Sequence, residues 1–107
     1  MFPIWWGMMP AMRKGWIDKV FLRGEFYDYT PEGDMLPCLS IGKTTIITTS
    51  QGPTDLFAPF IEGYFIPRAL EPVGFGGFRW FNCDNTSKGS DAHRKEFIDT
   101  VLAYLDK

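Results

Sequence analysis

The residues able to do chemistry in this chain are few and dispersed. Two cysteines, Cys38 and Cys83, lie far apart and have neither a Cys-x-x-Cys nor a Cys/His ligand spacing. No metal site is expected from them, and both read as reduced thiols. The one histidine, His93, has no carboxylate or cysteine placed beside it by spacing, so it reads as a solvated surface residue rather than a catalytic base. Gly42-Lys43-Thr44 suggests a phosphate loop, but residue 37, where that motif needs glycine, is proline. Gly74 and Gly76 precede a strand instead of opening a helix, which excludes a dinucleotide fingerprint. What remains is binding chemistry. Aromatic rings cluster at Trp5-Trp6 and at Phe26, Tyr27 and Tyr29, and a polar run, Thr48-Thr49-Ser50-Gln51-Gly52, ends a β-branched segment. Ligands of open parallel sheets bind at the carboxyl ends of strands, where Trp6 and this polar run both fall.

The elements that must position these groups can be read in order. Phe2 to Trp6 has the composition of a buried strand, and Gly7 frees the backbone to turn. Pro10 opens a helix as its first residue, with Met12, Trp16, Ile17, Val20 and Phe21 spaced along one face to pack on a sheet. Core packing is the role expected for Trp16. From Leu22 to Gly42 periodicity is lost in a long loop, and long loops in compact domains are usually functional. Its rings, Tyr27 and Tyr29, either pack on the loop base or wall a ligand pocket.

Lys43 to Thr49 is a strand, closed by a turn in which Thr54 caps the next helix and Asp55 favours its positive end. Leu56 to Ala69 is apolar nearly all round, and Gly63 and Pro67 divide it into two short helical pieces, buried in the core or at an interface. Gly77 to Cys83 is the last strand. Ser90 with Asp91 caps a final helix whose stripe is Phe97, Ile98, Val101, Leu102 and Leu105.

The whole is 107 residues, 45% hydrophobic and 17% aromatic with net charge −2, which makes it one domain or part of one. No basic surplus points to nucleic acid. Neither a signal peptide nor an apolar run long enough to span a membrane is seen, so a cytoplasmic address is expected.

One stretch carries a family resemblance. Pro3-Ile4-Trp5-Trp6-Gly7, Met9-Pro10-Ala11-Met12 and Lys14-Gly15-Trp16-Ile17-Asp18-Lys19-Val20-Phe21 resemble the strand, flavin loop and helix of the NAD(P)H:quinone oxidoreductase family, and Arg23-Gly24-Glu25-Phe26-Tyr27 continues the likeness into its aromatic loop. The resemblance implies an α/β flavodoxin-like parallel-sheet sandwich of strand order 2-1-3-4-5. Residues 1–107 would be its C-terminal portion, holding strands three to five and their helices, with the first two strands and the phosphate-gripping loop outside this sequence. A fragment of a longer product is the reading preferred, because Met1 falls inside a strand motif and boundaries belong in linkers. A half-domain completed by a partner or by its own copy, and a degenerate remnant, are the others. Without the first strand Phe2 to Trp6 would be a hydrophobic sheet edge, and a lone monomer poorly soluble.

The resemblance further implies FAD or FMN as cofactor, NAD(P)H as co-substrate, a quinone-like acceptor and a homo-oligomer. It places the flavin ring edge against Ile4, Trp5, Trp6 and Gly7 on one side and Thr48, Thr49 and Gly52 on the other. Trp6, Tyr27 and Tyr29 would bind the acceptor. The family's Thr-Thr-Gly-Gly turn is matched here by Thr48-Thr49-Ser50-Gln51-Gly52, with one residue inserted and the first glycine lost. A non-catalytic module, such as an ancillary subunit of a potassium-efflux system, is the alternative implied by other relatives.

Overall fold

A computed structural model describes residues 1–106. Three strands, β1 (Phe2–Pro3), β4 (Thr44–Thr49) and β5 (Phe78–Cys83), form a parallel sheet in the order β1-β4-β5. Phe2 stands opposite Thr48, and β4 pairs with β5 from Thr44 opposite Phe78 to Thr49 opposite Cys83. The two threonine pairs and two isoleucines of β4 favour an extended backbone, and β4 is the central strand. β1 is shorter than Phe2 to Trp6. The Ile4 N–H still donates to the Thr49 carbonyl at 2.7 Å, but Trp5 and Met8 then bond to each other and the chain turns. The outer side of β1 carries no strand among the described residues, yet the Phe2 and Ile4 side chains are buried, so only the backbone of this edge is open.

One sheet face carries the core. Phe2, Ile4 and Ile46 pack with Ile61, Phe65 and Leu70, and Phe78 and Trp80 join them from β5. The cover is α2 (Thr54–Phe60), running directly into a π-helical segment (Ile61–Leu70) and a short 3₁₀ turn (Glu71–Val73). The expected break at Gly63 and Pro67 does not occur. Ile61, Phe65 and Leu70 are the buried residues, at steps of four and five that suit a winding looser than 3.6 per turn, and their burial holds the segment together across Pro67. Pro53, rather than Thr54, occupies the cap position of α2; the Thr54 hydroxyl instead accepts from Asn82.

Helix α1 (Ala11–Val20) also departs from expectation. Pro10 is its cap residue and not its first helical one. Ile17 and Phe21 pack against the core, but no residue of α1 is fully buried, and Met12 and Trp16 are exposed. Only the end of the helix is anchored. Trp16 meets the Phe21 ring edge-on at 6.2 Å and lies under the Arg13 guanidinium, contacts that a ring half in water can make.

On the opposite face, α3 (Asp91–Leu105) buries Val101 and sets Tyr104 against Phe81 at 5.2 Å. Ser90 caps it by accepting the His93 N–H, as expected. Ile98, Leu102 and Leu105 of its stripe remain exposed. The radius of gyration is 15.7 Å, against about 13 Å for a compact domain of this length, and large apolar side chains such as Trp5, Trp6, Met12 and Leu56 stand exposed.

The long connection from α1 to β4 contains a hairpin, β2 (Tyr27–Tyr29) against β3 (Met35–Pro37), that its composition does not announce. β3 is exposed along its length, so no alternating pattern marks it. The chain then docks by main-chain bonds from Leu39 to Val73 and from Ile41 to Gly74. Gly74 has φ +108, and a Cβ there would fall 1.8 Å from the Leu39 carbonyl oxygen, so only glycine permits the approach. No helix among the described residues is long and apolar enough to cross a membrane.

Candidate ligand site at the strand ends

Two turns follow the carboxyl ends of adjacent strands, and a cavity of about 850 Å³ opens beside them. The first turn is Trp5-Trp6-Gly7-Met8. Trp5 and Met8 exchange N–H and carbonyl bonds at 2.9 and 3.0 Å, and both central residues have positive φ, +54 for Trp6 and +75 for Gly7. That is the pattern of a type I′ turn, which glycine accepts and tryptophan does not favour. Trp6 is fully exposed, so no burial repays its strained backbone. The Trp6 and Gly7 N–H groups have no backbone acceptor among the described residues.

The second turn is Ser50-Gln51-Gly52-Pro53, and side chains hold it. The Trp80 indole N–H donates to the Thr48 hydroxyl at 2.9 Å, and that hydroxyl donates to Asn82 Oδ1 at 2.7 Å. Asn82 Nδ2 donates to the Ser50 and Thr54 hydroxyls at 2.9 and 3.0 Å, and Ser50 Oγ donates to the Gly52 carbonyl at 2.9 Å. The Ser50 N–H is committed to the Cys83 carbonyl and its φ is not positive, so the chain makes no glycine-like approach at residue 50. The inserted residue is drawn sideways: the Gln51 amide oxygen accepts from the Thr86 hydroxyl and the Ser87 N–H, and its nitrogen donates to the Ser87 hydroxyl. Arg94 secures that neighbouring loop with two bonds to the Thr86 carbonyl and an ion pair with Asp91.

The cavity is lined by Ile4, Trp5, Trp6 and Gly7 from the first turn, Gln51 and Gly52 from the second, and Leu56, Phe57 and Phe60 from α2. Of the residues expected from the sequence, Ile4, Trp5, Trp6, Gly7 and Gly52 are brought together. Thr48 and Thr49 are not in the lining, and Thr48 is wholly buried with its hydroxyl spent on Trp80 and Asn82. Tyr27 and Tyr29 pack edge to face on each other at 5.7 Å on the hairpin, away from the cavity, with Arg23 over Tyr29. The α2 contribution was missed in the sequence, although the signal existed, since a helix starting directly after a strand-end turn must flank the strand ends.

Charged groups lie outside the cavity. Asp28 is held below its ordinary pKa by the Tyr29 N–H and then by Arg23. Burial pushes the Cys83 thiol up, with the Asp84 carboxylate adding to the effect and Arg94 opposing it. His93, expected to stand alone, lies 3.3 Å from Asp84, a partner brought to it by the loop before α3. Among the described residues no group of three or more potential metal ligands assembles.

Parallel strands in chain order, helices on both faces and a crevice at the carboxyl ends define an open α/β ligand-binding domain. The profile of the flavodoxin-like fold family matches residues 1–105, and the chain belongs to that family. It is 30% identical over 103 residues to an FMN-dependent NADH:quinone oxidoreductase of Stenotrophomonas maltophilia, covering 91% of this chain and 49% of the relative. Among solved structures, Smu.1420 from Streptococcus mutans superposes with a TM-score of 0.81 at 32% identity, over 96% of this chain and 55% of that one. An NAD(P)H:quinone oxidoreductase from Methanothermobacter marburgensis superposes at 0.79 with 24% identity, over 94% and 52%, and shares the fold. The chain thus spans about half the length of the relatives it matches.

Proposed function

We propose that this chain forms the ring-binding wall of an FMN-dependent NAD(P)H:quinone oxidoreductase. The observation that carries the reading is the cavity shared by the Trp5-Gly7 turn and the Gln51-Gly52 turn at the carboxyl ends of adjacent parallel strands. Its residues fit a flavin ring in kind. Leu56, Phe57, Phe60 and Trp5 offer apolar surface, and the unpaired Trp6 and Gly7 N–H groups offer donors for a polar ring edge. No lysine or arginine lines the cavity, so the wall suits a ring and leaves a phosphate to be held elsewhere. FMN, rather than FAD, follows the name of the 30%-identical relative.

When bound, FMN supplies the two-electron chemistry between a reduced nicotinamide and a quinone. The protein's part is to position and to exclude water. Ile4 and Gly52 would flank the ring from the two turns, the main chain at Thr48 and Thr49 fixes where the second turn begins, and the exposed Trp6 would stand beside an acceptor. Tyr27 and Tyr29 serve the acceptor if a second copy brings them to the mouth. A homo-oligomer and a cytoplasmic address belong to the same proposal.

The test is titration of the 107-residue chain with FMN, followed by fluorescence quenching, with mass by light scattering and NADH- or NADPH-driven reduction of a soluble quinone. A Kd between about 1 μM and 1 mM, worth about 4–8 kcal/mol, is expected of a wall that does not hold the phosphate. Absence of quenching at millimolar FMN removes the ring-binding role from this chain.

A further inference from the structure

Asn82 touches no ligand-facing atom, yet it is the hub on which the second turn depends. The polarity of every bond around it is forced. A carbonyl can only accept, so the single Ser50 proton goes to the Gly52 oxygen and Ser50 must accept from Asn82. This fixes the amide orientation, and Nδ2 must face Ser50 and Thr54. Oδ1 is left facing Thr48, whose hydroxyl accepts from the Trp80 indole and gives its own proton to Asn82. A directed chain therefore runs from the core side of β5 to the cavity wall.

We infer that Asn82 is a positioning residue for the site, holding the Gly52 segment of the wall through Ser50 and Thr54. The ligand arm of this inference rests on the flavin reading above; the clamp itself does not. A carboxylate at this position has nearly the same shape but can only accept. Ser50 and Thr54 must then turn their protons toward it, and the Gly52 carbonyl loses its donor. Shape is kept while the clamp is released.

The experiment compares the chain with its Asn82→Asp and Ser50→Ala variants by backbone amide NMR and FMN titration. Order parameters at Gln51 and Gly52 are expected to fall from about 0.85 to below about 0.6, with Ile46, Ile47 and Phe81 unchanged. The FMN Kd is expected to rise about tenfold in both variants. Ser50→Ala cuts the same chain at its last link and decides the matter if Asn82→Asp does not fold. Unchanged order at Gly52 overturns the inference, with or without a loss of affinity, and assigns the turn to the Gln51 contacts with Thr86 and Ser87. If the parent chain does not bind FMN, the proposed function falls and the order parameters still decide the clamp.

Discussion

After β1 the chain reverses with only a pair of main-chain bonds between Trp5 and Met8 to hold it, and it places a tryptophan where glycine or asparagine belongs. After β4, the neighbouring strand, the turn has no residue at positive φ, and it is tied to two strands, a helix and a loop through Asn82, Thr54 and Gln51. The first turn is strained and exposed; the second is satisfied and buried at its base. A binding site gains from both. A fixed wall lowers the ordering cost of binding, and a strained, water-exposed ring has something to gain from contact with a ligand.

The largest way to break this contrast is Thr48→Val, which keeps the shape of a fully buried side chain and deletes its hydroxyl. The Trp80 indole N–H loses its acceptor and Asn82 Oδ1 loses its donor. A loss of about 2 kcal/mol in folding stability is expected, since a buried unsatisfied donor costs about 1–3 kcal/mol. The midpoint of urea unfolding measures it, and a change below about 0.5 kcal/mol would mean that the network contributes little to stability.

The contrast is sharpened from the other side by Trp6→Asn. Asparagine followed by Gly7 is the pair that a type I′ turn favours, so removing the tryptophan relieves its positive φ and stabilises the chain by about 1 kcal/mol. FMN binding, on the proposed reading, weakens at the same time. A variant that is less stable than its parent would show that Trp6 carries packing which its exposure denies.

The difference between the turns also explains what the residues disclosed in advance. The parallel strands β4 and β5 and the helices around them were legible because Thr44 to Thr49 and Phe78 to Cys83 are rich in β-branched and aromatic residues, and Gly7 and Ser90 mark a turn and a cap. The first turn was legible as a local run of Trp, Trp and Gly. The second was only half legible, because Asn82 and Trp80 reach it from more than twenty-five residues away in the chain, and no local pattern encodes that meeting. The β2–β3 hairpin was hidden for a related reason: main-chain bonds hold it, with no buried face to impose alternation. Trp16 misled in the opposite sense. Its spacing placed it on a helical stripe, but it stays half exposed at a cleft that it shares with Phe2 and Arg13 instead of filling the core.

The smallest expected effect concerns the shielding that the clamped end provides. Cys83 ends β5, is buried, and gives its carbonyl to the Ser50 N–H, whereas Cys38 is exposed after the hairpin. Burial and the Asp84 carboxylate both hold the Cys83 thiol in its neutral form, against a weaker opposing pull from Arg94. Because the thiolate is the nucleophile, iodoacetamide at pH 8 is expected to modify Cys38 about tenfold or more faster than Cys83, read by mass spectrometry of the digested chain. The sign for stability follows from the same shift. A thiol whose folded pKa is raised contributes stability that is complete below the unfolded value, near 8.5, and that is lost as pH rises through the folded value. Cys83→Ala therefore flattens part of the alkaline fall in stability without altering the neutral plateau's dependence on pH. Equal labelling of the two cysteines would show that the end of β5 opens readily, and the description of the second turn as the fixed one would have to be given up.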